Sequence, residues 1–511
     1  MVVLFISFLA IISSGDSARI LGVIPIPSYS HQVVFQPLWR ELSLRGHQVT
    51  TLTTDPINDP SLINLTEIDL GFSYDVWNEA VKSVGGIQSN ILKTMRIIES
   101  GVSIARTQLR HPLVQDLLEN NNITFDLVMV EYYMPSALVF AKRFNCPYIG
   151  VVSMDAHSAS LKLAGNPTHP ILYPNNLLSV KDSLTLFDRI KSVVFSLIFE
   201  VYINYIYYSH HQEVVETIFG NHYPPLRDIA RNVSLLFINS DPIFDKVKPL
   251  VPTVIQIGGG LSRKASKPLS RKLQKILDVS SAGVVYFSLG SNVKSKDLPN
   301  DTINTVLATF AELPYTILWK FESGDLPNKS RNVYVEKWFP QLEVLKHPNI
   351  KLFITQGGLQ SIEEAIYTQI PMVGMPFFGD QFYNVKKMVK MGFGLIVDHT
   401  TLKIEELNST IMEVIQNPKY KEKLKELSEL VLDQPMTGLE RAVWWREYVI
   451  RHKGATHLRS PLLDIPFYQY YLLDVITVLL LLLALVVYIV KVSITVMSIP
   501  VRRFYSKVKR R

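Results

Sequence analysis

The sequence contains a single cysteine, and this scarcity limits the kinds of fold that the chain can adopt. Among 511 residues only Cys146 carries a thiol, so an intramolecular disulfide framework is excluded. The fold must therefore rest on buried apolar cores, and the chain is long enough to form two domains. Cys146 precedes Pro147 at a predicted strand start, and we interpret it as a buried, unreactive thiol.

Patterns typical of metal sites are also missing from the sequence. It contains no Asp-x-Asp triplet, and no group of Cys and His residues has the spacing of metal ligands. We therefore predict a functional site without a metal ion. Internal repeats and low-complexity tracts are absent as well.

Positive charge is concentrated at one end of the chain. The formal net charge is +7, and seven Lys and Arg residues, without any acid, lie within residues 491–511. This tail accounts for the whole net charge, so the rest of the chain is neutral overall. A nucleic-acid-binding surface, which requires a basic patch on the folded body, is not expected.

Two apolar runs near the chain ends predict membrane targeting. Val2 to Ile12 is apolar and is followed by small residues, which predicts a signal peptide over residues 1–17. Residues 471–490 are almost entirely apolar or aromatic, and about 20 such residues are enough to cross a bilayer as a helix.

The basic tail after this predicted span sets the expected orientation. Residues 491–511 would be cytosolic and the body luminal, since basic flanks stay on the cytosolic side. Lys507 and Lys509 resemble the dilysine retrieval signal of resident proteins of the endoplasmic reticulum membrane; a lipid-attracted basic tail is the alternative. Six N-x-S/T sequons are compatible with a luminal body, at Asn64, Asn122, Asn232, Asn300, Asn328 and Asn408.

Between the chain ends, short apolar runs alternate with helical patterns, as in parallel sheets covered by helices on both faces. We predict an N-terminal domain over residues 18–258 and a C-terminal domain over residues 259–455. The strand candidates are Arg19–Ile26, Gln48–Thr53, Asp126–Val130, Pro147–Val152, Val233–Asn239, Val284–Leu289, Thr316–Lys320, Lys351–Thr355 and Met372–Met375.

Two further segments have an ambiguous pattern. Gly258 to Ser281 is rich in Gly, Ser, Lys and Pro, which favours an interdomain linker. Val193 to Tyr208 is strongly apolar but short for a membrane span, which favours a core helix. A helix that touches the bilayer or a ligand pocket is the alternative.

The most informative stretch runs from Trp338 to Gln381. An apolar strand candidate leads into Gly357-Gly358, a helical segment follows, and a second apolar strand begins after Pro371. Such a strand–turn–helix–strand unit presents backbone N–H groups and a helix dipole to one point, which suits an anion such as a phosphate.

Polar residues surround this turn at positions where the carboxyl ends of parallel strands are expected. Open α/β sheets bind ligands at this edge. An aromatic plane, amide donors, helix-start N–H groups and two carboxylates match the needs of a base, a diphosphate, a ribose and a sugar. The set comprises Trp338, Gln341, Gln356, Gly358, Gln360, Ser361, Glu364, Asp380 and Gln381.

This stretch closely resembles the signature of the UDP-glycosyltransferases, membrane-bound enzymes that conjugate small lipophilic molecules. The resemblance implies a glycosyltransferase-B fold, in which two Rossmann-like domains face a cleft, with one C-terminal transmembrane helix. It implies a UDP-sugar as co-substrate, no permanently bound cofactor, and a small lipophilic acceptor as the second substrate. Family members also tend to self-associate, so a homo-oligomer is an open expectation.

The resemblance also assigns roles on the donor side. Trp338 would stack on uracil with Gln341 beside it, and Glu364 would accept both ribose hydroxyls. Ser291, in the segment SLGSN after a predicted strand, would approach the diphosphate together with Gly358, Gln360 and Ser361. Asp380 and Gln381 would bind sugar hydroxyls.

On the acceptor side, the resemblance implies a histidine base. His31 follows a Pro-rich loop after the first strand, at the start of a predicted helix, and matches the position of the family's base. Its partner is usually an Asp, and here Glu131 stands at that position with a side chain one methylene longer. Asp126 is the fallback, although it is expected at the opposite end of its strand.

Two departures keep other functions open. Gln356 replaces a common His and cannot carry charge, although this TQGG form resembles insect members. Together with Glu131, it leaves a non-catalytic, membrane-tethered protein that binds hydrophobic ligands as one alternative. A transferase acting on a membrane-embedded lipid is another. For the donor, the insect resemblance favours UDP-glucose, with UDP-glucuronate as the second choice.

Overall fold

The computed structural model describes residues 17–178, 184–258 and 268–508. The predicted signal peptide up to residue 16 and the last three residues of the tail lie outside these ranges. The predicted boundary at residues 258 and 259 adjoins the segment 259–267, which lies outside them as well. The described residues up to Arg459 form one compact unit, and those from Ser460 form a second.

The first half of the compact unit is built on a seven-stranded sheet. Its spatial order is β3-β2-β1-β4-β5-β6-β7, and every neighbouring pair is parallel. Five of these strands match the predicted ones to within about two residues at each end. The strands are β1 Arg19–Ile24, β2 Gln48–Thr53, β3 Leu65–Asp69, β4 Leu127–Glu131, β5 Tyr148–Val152, β6 Leu235–Ile238 and β7 Val254–Gln256.

A six-stranded parallel sheet forms the second half, with the order β10-β9-β8-β11-β12-β13. The four predicted strands of this half are all present. The strands are β8 Val284–Ser288, β9 Thr316–Lys320, β10 Val333–Glu336, β11 Ile350–Thr355, β12 Met372–Gly374 and β13 Gly394–Ile396.

The sequence interpretation missed four strands, and all four are sheet edges. They are β3, β7, β10 and β13, which have three to five residues and are only partly buried. An edge strand pairs on one side only and exposes part of its surface. Its sequence therefore lacks the continuous apolar run that marks a central parallel strand.

Helices cover both faces of each sheet, and alternate strand residues enter the cores on opposite faces. Around the first sheet they are α1 Tyr29–Leu44, α2 Tyr74–Ser83, α3 Asn90–Leu109, α4 Pro112–Glu119, α5 Leu138–Phe144, α6 Ser158–Leu163, α7 Leu186–Val201, α8 Tyr208–Phe219 and α9 Leu226–Arg231. Around the second they are α10 Arg271–Val279, α11 Asn300–Glu312, α12 Gln341–Leu345, α13 Leu359–Thr368, α14 Gln381–Met391, α15 Ile404–Gln416 and α16 Lys419–Leu432, after which the chain forms α17 Gly438–Arg451.

Helix α17 follows the second sheet in sequence but packs on the first. Its residues Leu439, Ala442 and Val443 belong to the core that contains Ile20 and Phe35. The fully buried Arg446 hydrogen-bonds the His47 ring at 3.1 Å, beside the end of α1. The chain therefore returns to its first half after completing the second.

Part of the predicted interdomain linker is helical. Residues 271–279 form α10, whose Leu273 and Leu277 are buried in the second core. The prediction of a patternless linker up to Ser281 was wrong there. Helix α10 is amphipathic, but only two of its side chains are buried and the rest of its surface is mostly polar. The apolar pattern was therefore too weak to predict a helix.

The prediction of a core helix between Val193 and Tyr208 holds for one face of the segment, where Phe199, Ile203, Tyr207 and Tyr208 belong to the core of the first half. Helix α7 continues through a π-helical turn, Tyr202–Tyr207, into α8. One face, including Phe199 and Ile203, is buried, while Val194, Leu197 and Ile198 are about half exposed or more. Only half of this apolar segment therefore packs against the body.

The second unit contains one long apolar helix. After the short helix α18, Phe467–Tyr470, helix α19 runs from Leu473 to Val508. Within α19, the 25 residues Leu473–Met497 have a mean hydropathy of 2.9 and are long enough to cross a bilayer. This overlaps the span predicted over residues 471–490.

The turn after β11 depends on one glycine. Gly357 has a φ of +86°, and a Cβ atom there would approach Val385 Cγ2 to 2.2 Å. We expect Gly357→Ala to destabilise the fold by about 3 kcal/mol, because left-handed strain adds to a clash in a packed core. Thermal unfolding of the purified chain would measure this change.

Gly392→Ala is the matched control, since Gly392 has a similar φ of +82° but no atom within 4 Å of the added Cβ. It should cost only about 1 kcal/mol from backbone strain. Equal unfolding temperatures for the two variants would show that the contact with Val385 does not constrain the turn.

Candidate active site between the two sheets

A cavity of about 1470 Å³ lies between the carboxyl ends of the two sheets. In a parallel sheet all carboxyl ends share one edge, so the loops that follow the strands converge there. The predicted site residues converge in this cavity: His31, Ser291, Trp338, Gln341, Gln356, Gly358, Gln360, Ser361, Glu364, Asp380 and Gln381 line it. Glu131 lies behind His31, fully buried.

His31 and Glu131 are in direct contact. His31 lies in the first turn of α1, after β1, and Glu131 is the last residue of β4, the neighbour of β1. Glu131 Oε1 pairs with His31 Nδ1, and Glu131 Oε2 accepts a hydrogen bond from the Ile26 N–H at 3.4 Å. The longer side chain of Glu131 therefore reaches the histidine ring.

The fallback carboxylate is at the other end of the sheet. Asp126 precedes β4, and its Oδ2 accepts a hydrogen bond from the Arg19 N–H at 2.7 Å, where β1 begins. It has the wrong position to contact His31, as the sequence interpretation expected.

Ser153 contacts the same histidine nitrogen and was not predicted. It follows β5 directly, is 1% exposed, and places its Oγ 3.0 Å from His31 Nδ1. Its carbonyl accepts a hydrogen bond at 3.1 Å from Gln360 Nε2, on the other side of the cavity. The only sequence feature that could have indicated Ser153 is its position directly after β5, the strand beside β4.

The turn between β11 and α13 is shaped to receive an anion. Gly357 adopts a left-handed conformation, and Gly358 is the N-cap residue of α13, without a side-chain cap on the first-turn N–H groups. Apart from Gln356 Nε2, at 3.6 Å, nothing lies within 4 Å of a Cβ added to Gly358. Open space and uncapped helix N–H groups suit a phosphate.

Next to this turn, three polar side chains form a network. Gln341 Nε2 donates to Glu364 Oε2 at 2.9 Å and to Ser361 Oγ at 3.1 Å. Burial raises the pKa of Glu364 to about 7, and the hydrogen bond from Gln341 opposes part of this increase. Glu364 thus ionises near neutral pH and lines the cavity as an acceptor.

Trp338 presents an aromatic face at the edge of the cavity. Its side chain is 53% exposed, far more than a core tryptophan. The Tyr29 ring packs edge-on at 5.1 Å, and Lys320 Nζ lies 5.2 Å from the indole ring centre. An exposed, supported ring of this kind suits stacking on a planar ligand.

The side chains of Asp380 and Gln381 differ in how many hydrogen bonds they already make within the protein. Burial raises the pKa of Asp380, whose Oδ2 accepts a hydrogen bond from Asn384 at 2.8 Å. Gln381 Oε1 accepts from the N–H groups of Phe377 and Phe378, and its Nε2 donates to Gln356. The Gln381 amide therefore holds its own loop together, whereas Asp380 has the less occupied carboxylate.

The same loop is held from the first half of the unit. Asn90, at the start of α3, donates to the Gly379 carbonyl at 3.2 Å and accepts from the Gly379 N–H at 2.9 Å. Lys93 Nζ donates to the Phe377 carbonyl at 3.4 Å. These contacts place Asp380 against the half that carries His31.

Within residues 17–178, 184–258 and 268–508, no group of three or more His, Cys, Asp or Glu side chains could hold a metal ion. The described site contains a buried His–Glu pair, carboxylate acceptors, amide donors and a helix N-terminus.

Comparison with known proteins places this geometry in a family. The family of UDP-glucuronosyl and UDP-glucosyl transferases matches residues 19–511. UDP-glycosyltransferase UGT5 of Dactylopius coccus is 33% identical over 95% of this chain and 93% of its own length. UDP-glucuronosyltransferase 2B7 of Homo sapiens is 30% identical over 96% of this chain and 95% of its own length.

A viral relative and two solved structures complete the comparison. Ecdysteroid UDP-glucosyltransferase of Spodoptera littoralis nuclear polyhedrosis virus is 33% identical over 93% of this chain and 96% of its own length. The kitacinnamycin glycosyltransferase structure has a TM-score of 0.56 at 19% identity, over 84% of this chain and 99% of that one. The structure of TcCGT1 in complex with UDP also has a TM-score of 0.56, at 13% identity, over 86% of this chain and 100% of that one.

The structural likeness confirms the predicted glycosyltransferase-B fold, and the sequence matches extend over nearly the whole chain. The protein belongs to the UDP-glucuronosyl and UDP-glucosyl transferase family and is a glycosyltransferase.

Proposed function

We propose that this enzyme transfers a hexose, preferentially glucose, from a UDP-sugar to a hydroxyl group of a small lipophilic acceptor, with inversion at the anomeric carbon. Family membership supports sugar transfer from a UDP-sugar to an acceptor. The observation that carries the finer proposal is the buried His31–Glu131 pair, which faces the donor-side residues across one cavity.

The proton transfer follows from the contacts of the histidine ring. Both polar contacts of His31 described above use Nδ1, so Nε2 is the nitrogen available to the acceptor hydroxyl. Nε2 takes the hydroxyl proton as the acceptor oxygen bonds to the anomeric carbon and the bond from that carbon to UDP breaks. Glu131 fixes the tautomer and stabilises the imidazolium that forms.

On the donor side, the residues assigned to the diphosphate are neutral hydrogen-bond donors. Trp338 would stack on uracil, and Glu364 would accept the ribose hydroxyls, with Gln341 holding its carboxylate. The first turn of α13, with Ser291, Gln360 and Ser361, would stabilise the leaving diphosphate. Asp380 would bind sugar hydroxyls, whereas Gln356 and Gln381 would act mainly by positioning the loops.

Glucose is favoured as the sugar because several similar proteins carry that specificity in their names. They include UDP-glucosyltransferase 2 of Dactylopius coccus and the viral ecdysteroid UDP-glucosyltransferases. A glucuronosyltransferase is similar to nearly the same degree, so UDP-glucuronate is the donor to test beside UDP-glucose.

The acceptor part of the cavity favours apolar molecules. In the first half of the unit its wall contains Ile97, Ile98, Phe199 and Ile203, together with a His157 ring stacked on Tyr133. Burial lowers the pKa of His157 to about 4, so this wall carries a neutral ring at physiological pH. A lipophilic alcohol or phenol fits such a surface.

We also propose that α19 anchors the protein in the endoplasmic reticulum membrane, with the body luminal and the tail cytosolic. The apolar length of α19 and the basic residues after it support this arrangement. Four of the six sequons, at Asn122, Asn232, Asn300 and Asn328, lie on the exposed surface of the body. The oligomeric state should be examined with the protein in the endoplasmic reticulum membrane.

The first test is UDP release from membranes that carry the protein, with UDP-glucose or UDP-glucuronate and a panel of phenols and steroids. We expect acceptor-dependent release, and His31→Ala should lower it by at least about 100-fold because the general base is lost. His210→Ala is the control, since that half-exposed ring pairs with Glu99.

Full release by His31→Ala would remove His31 from the base role while leaving the transferase in place. Folded protein that binds UDP but releases none from any donor would instead identify a non-catalytic binding protein. Release only with a membrane-embedded lipid acceptor would identify a lipid glycosyltransferase.

Ser153 provides a second test, as a residue that positions the base. Ser153→Ala should lower kcat roughly tenfold and leave the KM for UDP-glucose nearly unchanged, because the ring loses one of its two anchors. Ser153→Thr, which keeps a hydroxyl, should recover part of the loss.

The matched control is Ser240→Ala, another serine that is 1% exposed and follows a neighbouring strand, where its hydroxyl accepts from Gln256. Equal kcat values for the two alanine variants would mean that Ser153 has no specific effect on His31.

Glu364 gives a third test, through the pH dependence of donor binding. Its pKa is raised to about 7, and ribose hydroxyls donate to the ionised carboxylate, so UDP-glucose should bind more tightly as pH rises from 6 to 8. The Kd should fall by up to about tenfold per pH unit below the pKa. Isothermal titration calorimetry with UDP-glucose would measure this Kd. The diphosphate diester of UDP-glucose does not titrate in this range, so the ligand itself adds no pH dependence.

Glu364→Gln should bind more weakly and show no such trend, because an amide does not ionise. A Kd of the parent protein that stays constant between pH 6 and 8 would contradict the role of Glu364 as an ionising ribose acceptor.

A further inference from the structure

A carboxylate that the proposed mechanism does not use lines the cavity near His31. Asp55 is the second residue after β2, and β2 is the neighbour of β1, the strand that leads to His31. Both side chains line the cavity, and Asp55 is partly buried in its wall. Because neighbouring strands lie only about 4.8 Å apart, the loops after β1 and β2 occupy adjacent parts of the same sheet edge.

The protein holds this carboxylate by one of its two oxygens. Tyr74 Oη and Thr54 Oγ1 donate hydrogen bonds to Asp55 Oδ2 at 2.8 and 2.9 Å. The backbone of Asp55 is fixed as well, since Gln36 Nε2 donates to its carbonyl at 2.8 Å. Neither hydroxyl group uses Asp55 Oδ1, which leaves that oxygen as an acceptor for a ligand.

The charge of Asp55 lacks a basic partner in the described part of the chain, residues 17–178, 184–258 and 268–508. Arg40, a base in the same cavity wall, pairs instead with Asp59 at 2.7 Å. Burial raises the pKa of Asp55, and the negative charge of Asp69, which also lines the cavity, adds to this increase. A cation that entered this part of the cavity would lower the cost of both charges.

The position of His31 separates Asp55 from the apolar wall. The sheet order β2-β1-β4-β5 places Asp55 on one side of His31 and the Tyr133–His157 stack on the other. Gln36, which holds the Asp55 backbone, lies about 7.5 Å along α1 from His31, at five residues of helix. The ring and short side chain of a phenolic amine cover a similar distance.

We propose that Asp55 binds a protonated amino group of the acceptor, so that the preferred acceptors are hydroxylated amines such as phenolic amines. This rests on the proposed transfer to a hydroxyl group of a lipophilic acceptor and narrows its substrate class. A hydrogen bond between an ammonium group and a carboxylate is stronger than one between neutral groups, and it compensates the charge of Asp55. An amino group should therefore be favoured over a second hydroxyl group.

Three phenols that differ only at the end of a two-carbon chain test this proposal. At neutral pH, 4-(2-aminoethyl)phenol carries an ammonium group, 4-(2-hydroxyethyl)phenol a hydroxyl group, and 4-ethylphenol neither. Formation of the O-linked sugar conjugate would be followed by liquid chromatography and mass spectrometry, with the full chain in membranes and UDP-glucose or UDP-glucuronate as donor. Homologues with chains of one and three carbons vary the distance between the two polar groups.

For at least one chain length, kcat/KM should be at least about tenfold higher for the amine than for the matching alcohol. Asp55→Asn keeps the shape of the side chain without its charge, and it should lower this amine-to-alcohol ratio by about tenfold. The ratio cancels any loss of activity that is common to both acceptors. Tyr74→Phe, which removes one hydrogen bond to Asp55 Oδ2, should lower the ratio by a smaller factor.

Asp75→Asn is the matched control. It removes the same charge from the residue next to Tyr74, but Asp75 is exposed at the start of α2 and is not part of the cavity wall. The amine-to-alcohol ratio should equal that of the parent protein. Thermal unfolding would confirm that each variant is folded.

An unchanged ratio in folded Asp55→Asn would overturn the role of Asp55, and if that variant did not fold, an unchanged ratio in Tyr74→Phe would do so. A parent protein that prefers the alcohol would overturn the amine and identify a second hydroxyl group as the ligand. Absence of transfer to every phenol would contradict the proposed function instead. Calorimetric titration of the amine into the UDP complex would then decide the inference, and equal affinities of parent and Asp55→Asn would overturn it.

Discussion

Parallel pairing is the constraint on which the site depends. Every strand of both sheets points the same way as its neighbours, so each sheet brings all its carboxyl ends to one edge. Loops of different chemistry meet there without disturbing the strands below them, which are held by apolar cores on both faces. His31, the proposed base, lies at one edge and the turn between β11 and α13 at the other, so the proposed chemistry requires that the two edges stay together.

Hydrogen bonds between the two edges meet this requirement. Asn90 holds the backbone of Gly379, Gln360 reaches the Ser153 carbonyl, and Ser28 pairs with Asn292 at 3.0 Å. Each contact involves a residue next to one with a proposed role, so these hydrogen bonds join the donor-side loops to the loops around His31. Neutral amides predominate in these contacts, and they bind without the large desolvation cost of ion pairs.

How far the sequence predicted the structure depended on burial. Central strands such as Thr316–Lys320 were predicted because both of their faces are apolar, whereas edge strands such as Leu65–Asp69 expose polar residues and were missed. The contact between Glu131 and His31 needed the strand order, which places β4 beside β1. Ser153 has no distinguishing sequence pattern, and the exposed face of α7 could not be told from a buried one by composition alone.

Helix α17 links the order of the chain to its architecture. Because Leu439, Ala442 and Val443 complete a core that begins with Ala18 and Ile20, the first half of the body is assembled from both extremes of the compact unit. The second half is an insertion between those extremes, not a C-terminal module. A fragment that ended before residue 438 would lack part of the first core, so a chimera that exchanges the donor half between relatives needs two junctions rather than one.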